Sequence, residues 1–302
     1  MNLAPSIISQ HDAETGTWTY VLADLDVGVA AMIDPVWGYD AVSGDTNTGN
    51  VDKLLEQVKD RGWSLEWVLE THAHADHLSA AMYVREQTGA SIAIGRGIRA
   101  VQAAFIRIFN LDDVAADGSQ FDRLLGEGDV IQIGALEIKV METPGHTSDS
   151  LTYCVADCAF VGDTLFAPGF GTARCDFPGG DAAMLFDSIA RIHGLPGATR
   201  LFLCHDYPGS GEDARSMVTV AESRASNIHA RDGIRREEYI DMRETRDAKL
   251  SLPRLIYPAL QVNIRGGKGP EPEQNQTAYL RIPFNADIEA LLKEQPVAVR
   301  GK

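Results

Sequence analysis

Apolar residues along this chain recur at two spacings, every second residue and every third or fourth, and the switching between the two sets out the expected elements. Residues 17–23 alternate, and 28–33 form a small apolar run ended by Asp34-Pro35, so a β-hairpin opens the chain. After a polar, glycine-containing loop over 39–50, Val51, Leu54, Leu55 and Val58 recur at helical spacing until Gly62. A strand is expected at 66–70. A helix is expected at 77–88, with Leu78, Ala81, Met82 and Arg85 at helical spacing and Gly89 as its stop. Residues 91–94 read as a strand, and 98–109 as a helix with Val101, Phe105, Ile108 and Phe109 on one face. The runs 130–133 and 136–141, separated by Gly134, form a second hairpin. Short strands follow at 151–155, 159–161 and 201–203, with helices at 181–193 and 211–228. Strands interleaved with helices imply sheets covered by helices, a layered α/β arrangement.

The last third has another texture. Residues 237–250 are charged with a helical period, then Pro253, Pro258, Pro270, Pro272 and Pro283 break the chain into irregular pieces. No linker rich in Gly, Ser or Pro sets this part off, and no internal repeat is present. The expected division is a main domain over 1–210 and an extension over 211–302, helical then irregular, packed on that domain. An arm reaching a neighbouring subunit is the alternative.

With 302 residues, 44% of them apolar, the chain has ample material for a core. No stretch approaches the roughly 18 consecutive apolar residues of a membrane helix, and 1–10 lacks a basic region followed by an apolar run. A cytoplasmic protein without a membrane partner is the reading. The net charge of -16 disfavours a nucleic-acid partner, which would require clustered Lys and Arg. Cys154, Cys158, Cys175 and Cys204 are too unevenly spaced for a disulfide framework or a zinc ribbon, and are expected to be free thiols. Cys175 lies beside Arg174, a cation that would lower a thiol pKa and favour reactivity.

The candidate chemistry sits at strand ends. Five of the eight histidines fall in three short segments, and the first of these, Thr71-His72-Ala73-His74-Ala75-Asp76-His77, places three imidazoles and a carboxylate in six positions. Neutral imidazole and carboxylate are ligands for iron and zinc. If 66–70 is a strand, these residues occupy the loop at its carboxyl end, where open α/β sheets bind ligands. On this reading His72 and His74 project from the loop, and Asp76 and His77 lie at the entrance of the following helix. Thr143-Pro144-Gly145-His146-Thr147 turns sharply after the strand at 136–141. Gly162-Asp163 and Cys204-His205-Asp206-Tyr207 again follow apolar runs.

Together these segments resemble the metallo-β-lactamase superfamily, whose His-x-His-x-Asp-His loop is followed by a turn His, an Asp and a last His. His72, His74, Asp76, His77, His146, Asp163 and His205 fill the seven positions. The resemblance spans roughly 17–209 and implies an αββα sandwich with its metal centre at one edge. The wording of 143–147, Gly162-Asp163, Arg174-Cys175-Asp176-Phe177 and Cys204-His205-Asp206-Tyr207-Pro208-Gly209 is similar to the persulfide dioxygenase (sulfur dioxygenase) branch. That branch implies one ferrous iron, Fe(II), per chain, held by His72, His146 and Asp163. His74, Asp76, His77 and His205 would then surround it without binding it. The implied reaction joins glutathione persulfide and O2, giving sulfite and glutathione, with catalytic roles for Tyr207 and Asp76. Arg174, Thr147 and Tyr207 are the implied substrate contacts, with Arg174 on a glutathione carboxylate, and a homodimer is implied. In one departure from the branch, Thr172-Ala173 lengthens the loop between Gly171 and Arg174.

Two alternatives stand beside this reading. In a zinc thioesterase of the glyoxalase II kind, a hydroxyacylglutathione hydrolase, His74, Asp76, His77 and His205 complete a second site. Asp163 then bridges two Zn ions, and metal-bound hydroxide attacks a thioester. The segment at 204–207 and the proline-broken tail argue against it. The other alternative, a non-catalytic sulfur or metal sensor, is disfavoured by the complete ligand set.

Overall fold

The computed structural model describes residues 4–209 and 211–286. In chain order these form β1 (Ser6–Asp12), β2 (Thr17–Asp24), β3 (Val29–Ile33), β4 (Val36–Tyr39), β5 (Thr46–Asn47), α1 (Gly49–Asp60), β6 (Ser64–Leu69), β7 (Leu78–Ser79) and α2 (Ala81–Thr88). Next come β8 (Ser91–Gly95), α3 (Ile98–Phe109), β9 (Arg123–Leu125), β10 (Val130–Ile133), β11 (Leu136–Glu142), β12 (Leu151–Val155) and β13 (Cys158–Phe160). After a 3-10 turn at Gly162–Thr164 the chain continues through α4 (Ala182–His193), β14 (Arg200–Phe202), β15 (Met217–Thr219), α5 (Val220–Ser226), α6 (Arg236–Asp247) and α7 (Ile256–Asn263).

One six-stranded sheet has the order β1-β2-β3-β6-β8-β9, the other β10-β11-β12-β13-β14-β15. Alternation explains how they pack. In β2, Tyr20 and Leu22 face the second sheet and join Ile131, Ile138 and Tyr153 in a core between the sheets. Their neighbours Val21 and Ala23 face the other way, into a core with residues of α1, α2, α3 and α7. The outer face of the second sheet packs on α4 and on Tyr239 of α6. The result is the αββα sandwich, with four layers and three apolar interfaces.

The site edge follows from strand direction. β3, β6 and β8 run parallel, as do β13 and β14, so their carboxyl ends gather at two adjoining edges. Two buried tyrosines tie those edges together: Tyr20 donates to the Leu203 carbonyl (2.6 Å) and Tyr153 to the Glu70 carbonyl (2.7 Å).

Three expectations need correction. The helix expected at 77–88 begins at Ala81, because Leu78 and Ser79 first pair with Val36 and Trp37 of β4. Asp76 and His77 therefore lie in the loop and not at a helix entrance. The helix expected at 211–228 is strand first: 217–219 pair with β14, and Thr219 then caps α5 by accepting a hydrogen bond from the Glu222 amide. The proline-broken tail contains a buried helix, α7. Pro258 is its third residue, inside the first turn, where a helix needs no amide donor. Strands β1, β4, β5 and β9 were missed, the first a mixed polar edge strand and the others two to four residues long. Among the described residues no helix is long and apolar enough to cross a membrane.

Candidate metal centre

Backbone hydrogen bonding places each donor before any metal enters. Asp34, just past β3 and left-handed at φ 49°, accepts from the Thr71 amide (2.7 Å) and from Thr71 Oγ1 (2.8 Å). Thr71 Oγ1 spends its one proton on Asp34, so it accepts from His72 Nδ1 (3.0 Å), leaving the Nε2 lone pair of His72 free. His146 Nδ1 donates to the Arg174 carbonyl at 2.7 Å, which again leaves Nε2 free. A second chain orients the other pair. Thr15 Oγ1 donates to Asp12 (2.6 Å), Thr17 Oγ1 donates to Thr15 (2.8 Å), and Thr17 accepts from both His77 Nδ1 and His205 Nδ1, each at 3.3 Å. One hydroxyl thus fixes the tautomer of two imidazoles.

The ligand-type atoms converge in overlapping groups, of which two contain only the residues singled out in the sequence; the other two bring in Cys204, with Asp34 and His74 in one and with Asp163 and His205 in the other. His72, His146 and Asp163 bring ligand atoms within 4.8 Å of one another, as do His74, Asp76, His77 and His205. Asp163 stands between the groups: Oδ2 lies 3.9 Å from His72 Nε2 and 3.7 Å from His146 Nε2, while Oδ1 lies 3.3 Å from His205 Nε2. Asp76 Oδ2 is likewise 3.3 Å from His205 Nε2.

The electrostatics suit a cation. Burial, followed by the neighbouring His74, pushes His72 well below the ordinary imidazole range, and burial with His77 does the same to His74. Both rings are therefore neutral, the form that binds metal. Asp76 titrates well below the usual carboxylate range: burial opposes this, but His205 and His77 outweigh it. His72 Nε2, His77 Nε2, His205 Nε2 and Asp163 Oδ1 are buried without a hydrogen-bond partner. An orphaned buried polar atom costs about 1–3 kcal/mol, and four that converge on one space fit a metal ion.

A cavity of about 460 Å³ opens over this cluster, bounded by Asp76, His146, Asp163, Phe166, Phe170 and Tyr207. The Tyr207 ring stacks parallel to His205, centroids 5.9 Å apart, and Gly16 lets it do so, since a Cβ there would lie 2.4 Å from the tyrosine ring.

Two of the expected substrate contacts are otherwise engaged. Arg174 lines the cavity, but its Nε and Nη2 donate to the two Asp176 oxygens, each at 2.6 Å, and Nη1 donates to the Ser251 carbonyl. Thr147 is buried, its hydroxyl 2.7 Å from Ser150 Oγ, and forms no part of the cavity wall. The reactive thiol expected at Cys175 is also corrected: burial, followed by Asp247, pushes its pKa up and keeps it a thiol. All four cysteines are free.

Sequence reasoning missed Asp34, Thr17, Asn263 and Arg246. Asp34 carried the same signal as the ligands, a carboxylate closing an apolar strand. Thr17 begins a strand and gave no signal, and the other two lie in helices of the extension. Asn263 Nδ2 donates to the His74 and His77 carbonyls, both at 2.8 Å, and Arg246 lines the cavity.

Comparisons with known proteins agree with this geometry. The family model described as the metallo-beta-lactamase superfamily matches residues 13–205. A protein of Burkholderia pseudomallei named "Probable metallo-hydrolase" is 48% identical over 286 residues, covering 91% of this chain and 97% of that protein. The "Beta-lactamase hydrolase-like protein" of Xylella fastidiosa is 46% identical over 93% of this chain, which spans only 65% of that longer protein. The mouse mitochondrial persulfide dioxygenase ETHE1 is 30% identical over 268 residues, 87% of this chain and 90% of that one. The crystal structure of ETHE1 from Myxococcus xanthus superposes with a TM-score of 0.69 at 31% identity, over 87% of this chain and 100% of the other. With its seven ligand-type residues gathered at one edge of an αββα sandwich and residues 13–205 matched, the chain belongs to the metallo-β-lactamase superfamily.

Proposed function

We propose that the protein is an iron-dependent persulfide dioxygenase. The observation that carries this reading is the group His72, His146 and Asp163, two imidazoles and one carboxylate, opening on a cavity that has Tyr207 at its wall. That donor set, with open positions beside it, suits non-haem ferrous iron. The likeness to the mouse persulfide dioxygenase and to ETHE1 of Myxococcus xanthus supports it. The net reaction takes glutathione persulfide, O2 and water to glutathione, sulfite and two protons.

Iron, which His72, His146 and Asp163 would hold, would supply a Lewis-acidic, redox-active centre suited to a soft sulfur and O2. The rest is done by side chains. Thr71 and the Arg174 carbonyl hold the His72 and His146 rings with Nε2 outward. Asp76, ionised at the cavity wall, is placed to accept a hydrogen bond from the substrate. Tyr207 presents its phenol to the same space, and Phe166 and Phe170 keep bulk water from the sulfur. Arg174, through its Asp176 pair, holds the loop that supplies the carbonyl on His146, while Arg246 meets a glutathione carboxylate. The same reading includes a catalytic domain over 1–210 with the extension packed on it, and a cytoplasmic homodimer; 287–302 lie outside the described residues.

A second reading, a dinuclear zinc hydrolase acting on a glutathione thioester, is favoured by Asp163 standing between two donor groups and by the likeness to a protein named metallo-hydrolase. Metal analysis and turnover separate the two. One iron per chain with O2-dependent sulfite release from glutathione persulfide is the expected result. Two zinc ions per chain with S-lactoylglutathione hydrolysis and no O2 uptake would overturn it.

A further inference from the structure

The match to the family ends at residue 205, yet three side chains well beyond it hold the donor groups in place. Asn263, in the last turn of α7, is 4% exposed and makes three hydrogen bonds to the loop through its amide. Its Nδ2 donates to the carbonyls of His74 and His77, and its Oδ1 accepts from the Ser79 amide, each at 2.8 Å. These three backbone groups bracket Asp76 and His77, so the path of the loop is set by one buried amide. Gly267 lets the segment after α7 come this close, because a Cβ there would sit 3.0 Å from the Ser79 carbonyl and the Met82 amide.

The other brace comes from α6. Arg243 and Asp247, one turn apart and both buried, form an ion pair through Arg243 Nε and Asp247 Oδ1 at 2.9 Å. Arg243 Nη1 donates to the Thr172 carbonyl (3.0 Å), and Asp247 Oδ2 accepts from the Cys175 amide (2.8 Å). Between these two anchors lies Arg174, whose carbonyl accepts from His146 Nδ1. The longer loop at 172–173 is thereby clamped at both ends.

We propose that α6 and α7 are working parts of the metal centre, with Asn263 positioning the loop that carries His74, Asp76 and His77, and the Arg243–Asp247 pair positioning His146. None of the three belongs to a donor group. Groups that orient ligands from outside typically change metal affinity by about 10–100-fold when removed. The inference concerns metal binding whichever reaction the centre performs, because His146 belongs to the donor set of either reading and the loop that Asn263 holds also carries His72, two residues before His74; it therefore stands or falls separately from the dioxygenase reading.

The test uses the full chain, Co(II) as probe, and the variants Asn263→Ala and Asp247→Asn, with Leu54→Ala in the α1 core as a control for lost stability. Each of the two variants is expected to weaken Co(II) binding about 10–100-fold and to alter the visible absorption of the bound Co(II). Leu54→Ala should leave both unchanged while it remains folded. Wild-type affinity and spectra in both variants, or changes no larger than those of the control, would overturn the proposal. If the variants do not fold, hydrogen exchange of the wild-type chain with and without Co(II) decides. Slower exchange over 243–247 and 256–263 on metal loading is expected, and equal rates would refute the coupling.

Discussion

At the scale of single residues, the charge at the cavity mouth shows how a side chain of the right type can be committed elsewhere. Arg174 and Arg246 both line the cavity, but every terminal group of Arg174 is engaged, whereas Arg246 is exposed and makes no ion pair among the described residues. A glutathione carboxylate meeting Arg246 gains a partly exposed charged hydrogen bond, so Arg246→Ala should raise KM for glutathione persulfide about tenfold, equivalent to about 1.4 kcal/mol. kcat should stay within about twofold, because the contact is made equally before and during reaction. An unchanged KM in steady-state O2 uptake would remove Arg246 from the substrate site. Arg174→Ala should instead lower thermal stability together with activity, since the loop at 172–175 loses its bonds to Asp176 and Ser251. The seven ligand-type positions were legible as residues because each follows an apolar strand. Which nitrogen of each histidine is free was not, because that depends on Thr17, Thr71 and a carbonyl brought in by folding.

At the scale of elements, turns and helix contacts decide how firmly the donors are held. Gly145, at φ 135°, passes so close to α4 that a Cβ would lie 2.3 Å from the Leu185 amide nitrogen. Gly145→Ala should cost about 2 kcal/mol or more and displace His146, lowering metal content as well as Tm. A variant with full metal content would show that the turn tolerates the shift. His193 joins α4 to α5 through Nε2 and Ser223 Oγ at 3.0 Å, and burial lowers its pKa to about 4. As pH falls below the ordinary value near 6.5, the unfolded chain takes up this proton before the folded one does. The stabilisation is therefore complete above about 6.5 and is lost as pH falls toward 4. Urea midpoints of the metal-free protein should drop between pH 7.5 and 5, and His193→Gln should flatten that drop; an equal slope in the variant would assign the acid sensitivity to other groups. The period of the sequence located most elements, but β15 and α7 escaped it. Partners supplied by β14 in one case and by β7 and the first sheet's outer core in the other outweigh local turn and proline signals.

At the scale of the whole molecule, the donor groups stand where the two sheets meet, and a bound metal would join both. Its ligand-type residues come from loops after β6, β11, β13 and β14, so binding should stabilise the folded chain as a unit. For an ion present at about a thousand times its dissociation constant, linkage gives about 4 kcal/mol. At about 2–4 °C per kcal/mol for a chain of this size, chelation should lower Tm by about 10 °C, and Fe(II) should restore it. Calorimetry before and after chelation checks this, and an unchanged Tm would mean that the orphaned nitrogens are satisfied in some other way.

The sequence by itself determined the layered architecture and the chemical nature of the site, because strand and helix periods are local and because imidazole and carboxylate at strand ends carry their ligand chemistry wherever they are placed. Only the tertiary structure decided the rest: that Asp163 stands between two donor groups, that Arg174 is paired, that Thr17 orients two imidazoles, and that an amide at position 263 holds a loop at 74–79. These depend on contacts between residues up to 189 positions apart. No local period encodes such contacts, which exist only once the hydrophobic layers have closed and fixed the distance between one strand end and the next.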